Sequence, residues 1–212
     1  MKQDVSRPTR KIVAGFALAI AACAPKPDAG PPEGAINPFD GSTPMAVTLV
    51  RPRFTLTDTD GKPFAFAERT AGTATFLLFG YTNCPDVCPV NIANLAAALH
   101  KLPFDVRSRA RVVFVSVDPD RDSLPAIRKW LDAFDTSFIG LRGNAATVDS
   151  IQLALGLGPA LRSPPDAKGG YEVGHAAPVI AFAPDDTARA LYPFGTRQSD
   201  WLTAIPKVLK NQ

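Results

Sequence analysis

"TATFLLFGYTNCPDVCPVNIANLAAALHKL" (73–102) is the stretch that decides the fold. Its first nine residues form a continuous apolar and aromatic run, the pattern of a strand buried on both faces. From Asn91 onward, Ile92, Leu95, Ala96 and Leu99 share one face of a helix over 91–102. Between strand and helix stand Cys84 and Cys88, each followed by a proline. Pro89 has no N–H to donate and is tolerated only at the start of a helix, so regular helix is predicted to begin at or near it. Both thiols then sit on a turn at a helix N-terminus, where the macrodipole favours thiolate.

The same alternation continues along the chain. "RFTLTDTDGKPFAFAE" (53–68) reads as a hairpin turning at Asp60-Gly61. "ARVVFVSV" (110–117) is a second buried strand, and "SLPAIRKWLDAF" (123–134) a helix with Ser123 as N-cap and Pro125 in its first turn. A short strand over 137–143 precedes a helix over 144–155. Segments 178–184 and 189–195 pair as antiparallel strands around Asp185-Asp186, and a last helix covers 199–211. This order predicts an α/β, thioredoxin-like fold: a central mixed sheet flanked by helices, with an N-terminal β-hairpin. In that architecture the loop entering the late antiparallel strand packs beside the cysteine turn. Here that loop contains His175, just ahead of Pro178.

The N-terminus reads differently. Residues 1–11 are basic, and 12–22 ("IVAGFALAIAA") are uncharged and apolar. A membrane span takes roughly 20 such residues, so this shorter run suits a signal peptide over 1–22. "IAAC" (20–23) resembles the bacterial lipobox, whose cysteine, here Cys23, becomes the lipidated first residue. Residues 23–46 read as a Pro/Gly-rich tether, and the folded domain is expected over 47–212. Removing the four basic groups and one acid of 1–22 leaves 19 of each sign, a net charge of zero. A neutral mature chain gives no support for nucleic-acid binding.

With Cys23 taken by lipid, Cys84 and Cys88 are an isolated pair. A structural disulfide closing so short a loop would add little stability. A redox dithiol is a second reading, although thioredoxin-like reductases space their cysteines by two residues and three intervene here. A metal is the third. Four-ligand zinc and iron–sulfur sites need more ligands than the pair and the two histidines, His100 and His175, readily supply. Two thiolates and one imidazole make a three-coordinate site, which copper(I) accepts. His175 is the better third ligand. His100 lies three turns along the helix, away from the cysteines.

"FGYTNCPDVCP", "VSVDPDRDS", "FIGLRG" and "VGHAAPVIAFAPDD" resemble, in order, the signature segments of the Sco/SenC family of copper-binding proteins, over residues 50–210. The resemblance implies copper, as Cu(I), Cu(II) or both, held by Cys84, Cys88 and His175. It implies an outer-sphere or partner-facing role for Asp118. It implies a monomer in the bacterial cell envelope, anchored by lipid on Cys23 with the domain facing the periplasm. Family members deliver copper to, or reduce the cysteines of, the dinuclear copper site in cytochrome c oxidase subunit II. Subunit II or another copper protein is thus the implied partner. Asn83 and the "AAPV" after His175 depart from the family pattern, and Pro178 resembles the cis-proline position of thiol oxidoreductases. Two functions stay open: a copper metallochaperone without turnover, or a thiol–disulfide reductase with Cys84 and Cys88 as its redox pair.

Overall fold

The apolar run at 73–81 folds as β4 (Ala74–Gly80), buried at every position, and β5 (Ala110–Ser116) pairs with it in parallel, Ala74 opposite Ala110 and Gly80 opposite Ser116. The computed structural model describes residues 40–167 and 170–210. The predicted signal segment, Cys23 and the tether as far as residue 39 lie outside the described residues. Ahead of β4 come β1 (Thr43–Val50), the hairpin β2 (Thr55–Asp58) and β3 (Pro63–Ala65), and the short helix α1 (Phe66–Thr70). Helices α2 (Val87–Lys101) and α3 (Phe104–Arg107) link β4 to β5. Then follow α4 (Leu124–Asp132), β6 (Ile139–Arg142), α5 (Ala145–Ala154), the two-residue strands β7 (Leu161–Arg162) and β8 (Val173–Gly174), β9 (Val179–Phe182), β10 (Thr187–Tyr192) and α6 (Gln198–Leu209).

The main sheet has the order β1-β10-β9-β4-β5-β6-β2-β3. Only β4, β5 and β6 are mutually parallel. Side chains alternate across this sheet with period two. Phe76, Leu78, Val112 and Phe114 meet Ile92 and Leu95 of α2, Ile127 of α4 and Trp201 of α6. Leu77, Phe79, Val113 and Val115 face the other way, toward Phe66 of α1 and Val148 and Ile151 of α5. Helices therefore cover both faces of a mixed sheet, as a thioredoxin-like α/β fold requires. Ser123 caps α4 as expected, accepting from Ala126 N at 3.3 Å, and Asn144 caps α5.

Folded structure begins earlier than Val47. Asp40 and Ser42 are buried, and β1 starts at Thr43 as an edge strand on β10, with a bulge between Pro44 and Leu49. Proline is acceptable on an edge, and the bulge together with the exposed Val47 and Val50 erases the alternation that would mark a strand.

Arg51, at the end of β1, ties the hairpin side of the domain to the sheet. Its side chain is 1% exposed and bonds Asp186 Oδ1, Thr70 Oγ1 and Thr75 Oγ1, each at 2.7 Å. It also donates to the carbonyls of Thr73 and Ala183 and lies near the rings of Phe66 and Phe182. Losing the guanidinium strands several buried acceptors at once. Arg51→Met should therefore cost about 3 kcal/mol in denaturant unfolding. Arg53→Met breaks only the exposed pair with Glu68 and should cost under about 0.5 kcal/mol. Equal losses would show that Arg51 is not a structural node.

Candidate metal centre

The cysteine turn is held from below before it holds anything itself. Thr82 donates to the buried Asp122 through its backbone N–H, at 3.1 and 3.2 Å to the two oxygens, and through its hydroxyl at 2.6 Å. Asp122 in turn accepts from Ser116 Oγ, at 2.6 Å, at the end of β5. The helix begins at Val87, two residues before Pro89. Pro89 thus occupies the third helical position, where no intrahelical N–H partner is required. Cys88 lies inside the first turn rather than ahead of it. The N-cap Asp86 makes no side-chain cap; instead the Cys88 N–H points at Cys84 Sγ, 3.4 Å away. Both thiols are free.

Cys88 is 2% exposed, packed over the end of β4. A Cβ on Gly80 would come within 2.9 Å of its sulfur and 2.8 Å of the Phe114 ring. Glycine at 80 is thus what lets the sulfur lie against the sheet.

His175 arrives from the opposite direction. Because β9 runs antiparallel to β4, with Leu77 opposite Ile180, the residues entering β9 pass the end where β4 leaves the sheet. His175 Nε2 lies 3.5 Å from Cys88 Sγ, and its Nδ1 is 3.0 Å from the Ala176 carbonyl oxygen. Nδ1–H donating to that carbonyl assigns the tautomer with the Nε2 lone pair facing the sulfurs. The Tyr81 ring stands edge-on to the imidazole at 5.8 Å. The ligand atoms of Cys84, Cys88 and His175 all lie within 4.8 Å of one another. A trigonal site with metal–sulfur bonds of about 2.3 Å and a metal–nitrogen bond of about 2.0 Å spaces its ligand atoms by roughly 3.7–4.0 Å. The three side chains fit such a site with little movement.

Electrostatics run against one expectation. Burial pushes the Cys88 thiol well above its ordinary range, and neighbouring Cys84 and Asp122 add to the rise. Desolvation of a sulfur inside the core outweighs the helix N-terminus that was expected to favour thiolate. Burial also lowers His175, with the Ala176 carbonyl partly opposing it, so the imidazole is neutral at neutral pH. A surface cleft lined by Tyr81, Cys84, Val87 and His175 gives access, and the carboxylate-bearing Asp86 and Glu172 lie on its wall.

The remaining expectations divide. His100 is half-exposed and pairs with Asp135 at 2.8 Å, apart from the cluster. Asp118 is fully buried, its carboxylate engaged by Arg121, Tyr171 and Arg162. Among the described residues no peptide bond is cis, so Ala177–Pro178 is trans, unlike the oxidoreductase proline it resembles in sequence. Gly80, Asn91, Asp122 and Tyr171 were not singled out from sequence. Asp122, five residues beyond the buried strand predicted to end at 117, was the one that local pattern could have flagged.

A family model described as SCO1/SenC matches residues 43–210. The chain is 29% identical over 161 residues to a Stutzerimonas stutzeri protein named as copper-binding, covering 76% of this chain and 78% of that one. It is 36% identical over 98 residues to the mitochondrial protein SCO1 homolog 1 of Arabidopsis thaliana, 46% of this chain but only 29% of that longer relative. Among solved structures, copper-bound ScoI of Bradyrhizobium japonicum superposes with a TM-score of 0.67 at 25% identity, over 76% of this chain and all of that one. Apo Sco1 of Thermus thermophilus does so with a TM-score of 0.64 at 29% identity, over 80% and 93%. Matched from its first strand to its last helix, the chain belongs to the SCO1/SenC family.

Proposed function

We propose that this protein is a copper metallochaperone that carries its metal on Cys84, Cys88 and His175. The observation behind this reading is the convergence of two thiols and one correctly oriented imidazole nitrogen on a single point beyond the end of β4. Two soft sulfurs and one nitrogen suit copper(I), and a three-ligand set leaves room for a recipient's ligand to enter. Copper is here a cargo. Cys84, the more exposed sulfur, borders the cleft and is the natural point of exchange. The recipient on this reading is a copper protein of the respiratory chain, the dinuclear site of cytochrome c oxidase subunit II. The domain would work from the cell envelope, facing the periplasm as a monomer on a lipid attached to Cys23. Cys23→Ser should then shift the protein from the membrane to the soluble envelope fraction or stall its processing. Full membrane retention of an unlipidated protein would defeat the anchor.

A thiol-reductase role has its own supporting observation: the sulfurs are free and lie within 4.8 Å. Oxidation would join them in a disulfide, releasing two electrons and two protons to an oxidised partner. That bond consumes both thiolate ligands, so copper carriage and thiol oxidation exclude each other. The reductase reading would place the attacking thiol at Cys84, since Cys88 is sealed in the core with its thiol held protonated. In copper-free, reduced protein at about pH 8, iodoacetamide should label Cys84 well before Cys88. Mass spectrometry after partial labelling checks this, and the reverse order would overturn the assignment of roles.

His175 separates the two functions. His175→Ala should weaken copper(II) binding by about tenfold or more and change its absorption spectrum, because copper(II) loses its one imidazole. Copper(I), held by two thiolates, should be retained more weakly. The sign of the pH effect follows from burial. With His175 lowered, its proton competes with metal only below about pH 6.5, the ordinary histidine value. The histidine-linked loss of affinity should therefore appear in acid and be absent from His175→Ala. Unchanged copper(II) affinity and spectrum in that variant would reject the three-ligand site.

A further inference from the structure

His175 sits on a segment with little structure of its own. Between Gly158 and Val179 the only ladder among the described residues joins β7 to β8, Leu161 to Gly174 and Arg162 to Val173, and Leu161 is 70% exposed. Two paired residues do not hold a conformation in water. Something else must fix the imidazole within reach of the sulfurs.

The grip comes from the connection that follows β5. The Tyr171 hydroxyl donates to Asp118 Oδ1 at 2.7 Å. The face of its ring lies 3.7 Å from the guanidinium carbon of Arg121, close stacking for a cation on an aromatic. Its backbone carbonyl accepts from Arg121 Nη1 at 2.8 Å. Arg121 Nε bonds the second oxygen of Asp118, closing the triangle. One residue is thus held by its phenol, its ring and its backbone, all against Asp118 and Arg121. Arg162 reinforces the same corner, reaching Asp120 at 3.0 Å and Asp118 at 3.5 Å. Two residues beyond Tyr171, Val173 is buried in the core cluster, and His175 follows two residues later. On the far side, Asn91 Nδ2 donates to the Ala177 carbonyl at 3.0 Å.

We infer that Tyr171 is the positioning residue that holds His175 at the metal site, clasped by Asp118 and Arg121. It touches neither metal nor sulfur. It acts by denying the His175 segment the freedom to swing outward, so its loss is felt in the ligand that segment carries and not in the two thiols. The inference rests on His175 being a ligand and falls with that reading. The buried, fully occupied carboxylate of Asp118 is then an anchor for the histidine segment. Because Asn91 still holds Ala177, removing Tyr171 loosens the histidine without releasing it.

The test compares Tyr171→Phe, Tyr171→Ala and His175→Ala with the parent protein. Tyr171→Ala should raise the copper(II) dissociation constant by about 10–100-fold and move the copper(II) spectrum toward that of His175→Ala, while copper(I) affinity changes much less. Tyr171→Phe keeps the ring on Arg121 and loses only the bond to Asp118, so its effect should be smaller and in the same direction. In copper-free protein, amide exchange at residues 173–177 should quicken in Tyr171→Ala while β4 and β5 exchange as in the parent. If Tyr171→Ala does not fold, Tyr171→Phe carries the same comparison. A folded Tyr171 variant with parental copper(II) spectrum, affinity and segment exchange overturns the proposal while leaving His175 as a ligand. A His175→Ala variant with parental copper(II) binding overturns both.

Discussion

The antiparallel pairing of β9 with β4 is the constraint on which the site depends. The end where β4 leaves the sheet is the end where β9 enters it, so whatever follows β4 meets whatever precedes β9. Had β9 run parallel, His175 would lie at the opposite end of the sheet from Cys84 and Cys88. The pairing rests on contacts toward the other end of β4: Phe182 and Ala181 in the core beside Thr75 and Phe76, and Arg51 bridging Thr75 to the turn after β9. The site is thus a consequence of sheet topology, refined locally by Gly80, Asp122 and the clasp on Tyr171.

Burial gives the site its chemical character. Cys88 is inside the core, and the same desolvation that keeps its thiol protonated would make a bare thiolate costly there. A metal cation removes the conflict, since it supplies the positive charge that a deprotonated, buried sulfur lacks. Protons and metal are therefore alternative occupants of the same sulfurs, and loading releases protons. His175 needs no such exchange, because burial already keeps it neutral. Of the three side chains, one is ready and the buried sulfur waits for the cation. Cys84, nearer solvent and accepting from the Cys88 N–H in the first helical turn, is the easier sulfur to engage first.

Much of this was legible in the sequence because it is carried by strong local patterns. The buried strands β4 and β5 read directly from unbroken apolar runs, and the cysteine turn from its two prolines. The thioredoxin-like order and the placement of His175 followed from counting elements. What escaped was non-local or irregular. The strand β1 has a bulge and an exposed edge, so no alternation marks it. The early start of α2 was masked because Pro89 is tolerated anywhere in a first turn. The raised Cys88 thiol reflects three-dimensional burial, which a motif at a helix N-terminus does not reveal. Tyr171 lies in a stretch of mixed polarity, and its role exists only because Asp118, 53 residues away, lies beneath it.

The balance between carriage and thiol exchange turns on how the two sulfurs differ. A dithiol catalyst works best when one thiolate is exposed and easily formed while its partner can follow it into the disulfide. Here the second sulfur lies against Gly80, with its proton held by burial. Three residues separate the cysteines. Each of these features works against rapid turnover, and none works against a metal, which needs fixed sulfurs at a set spacing. The same rigidity that would slow a reductase is what presents two sulfurs and one nitrogen to a single ion.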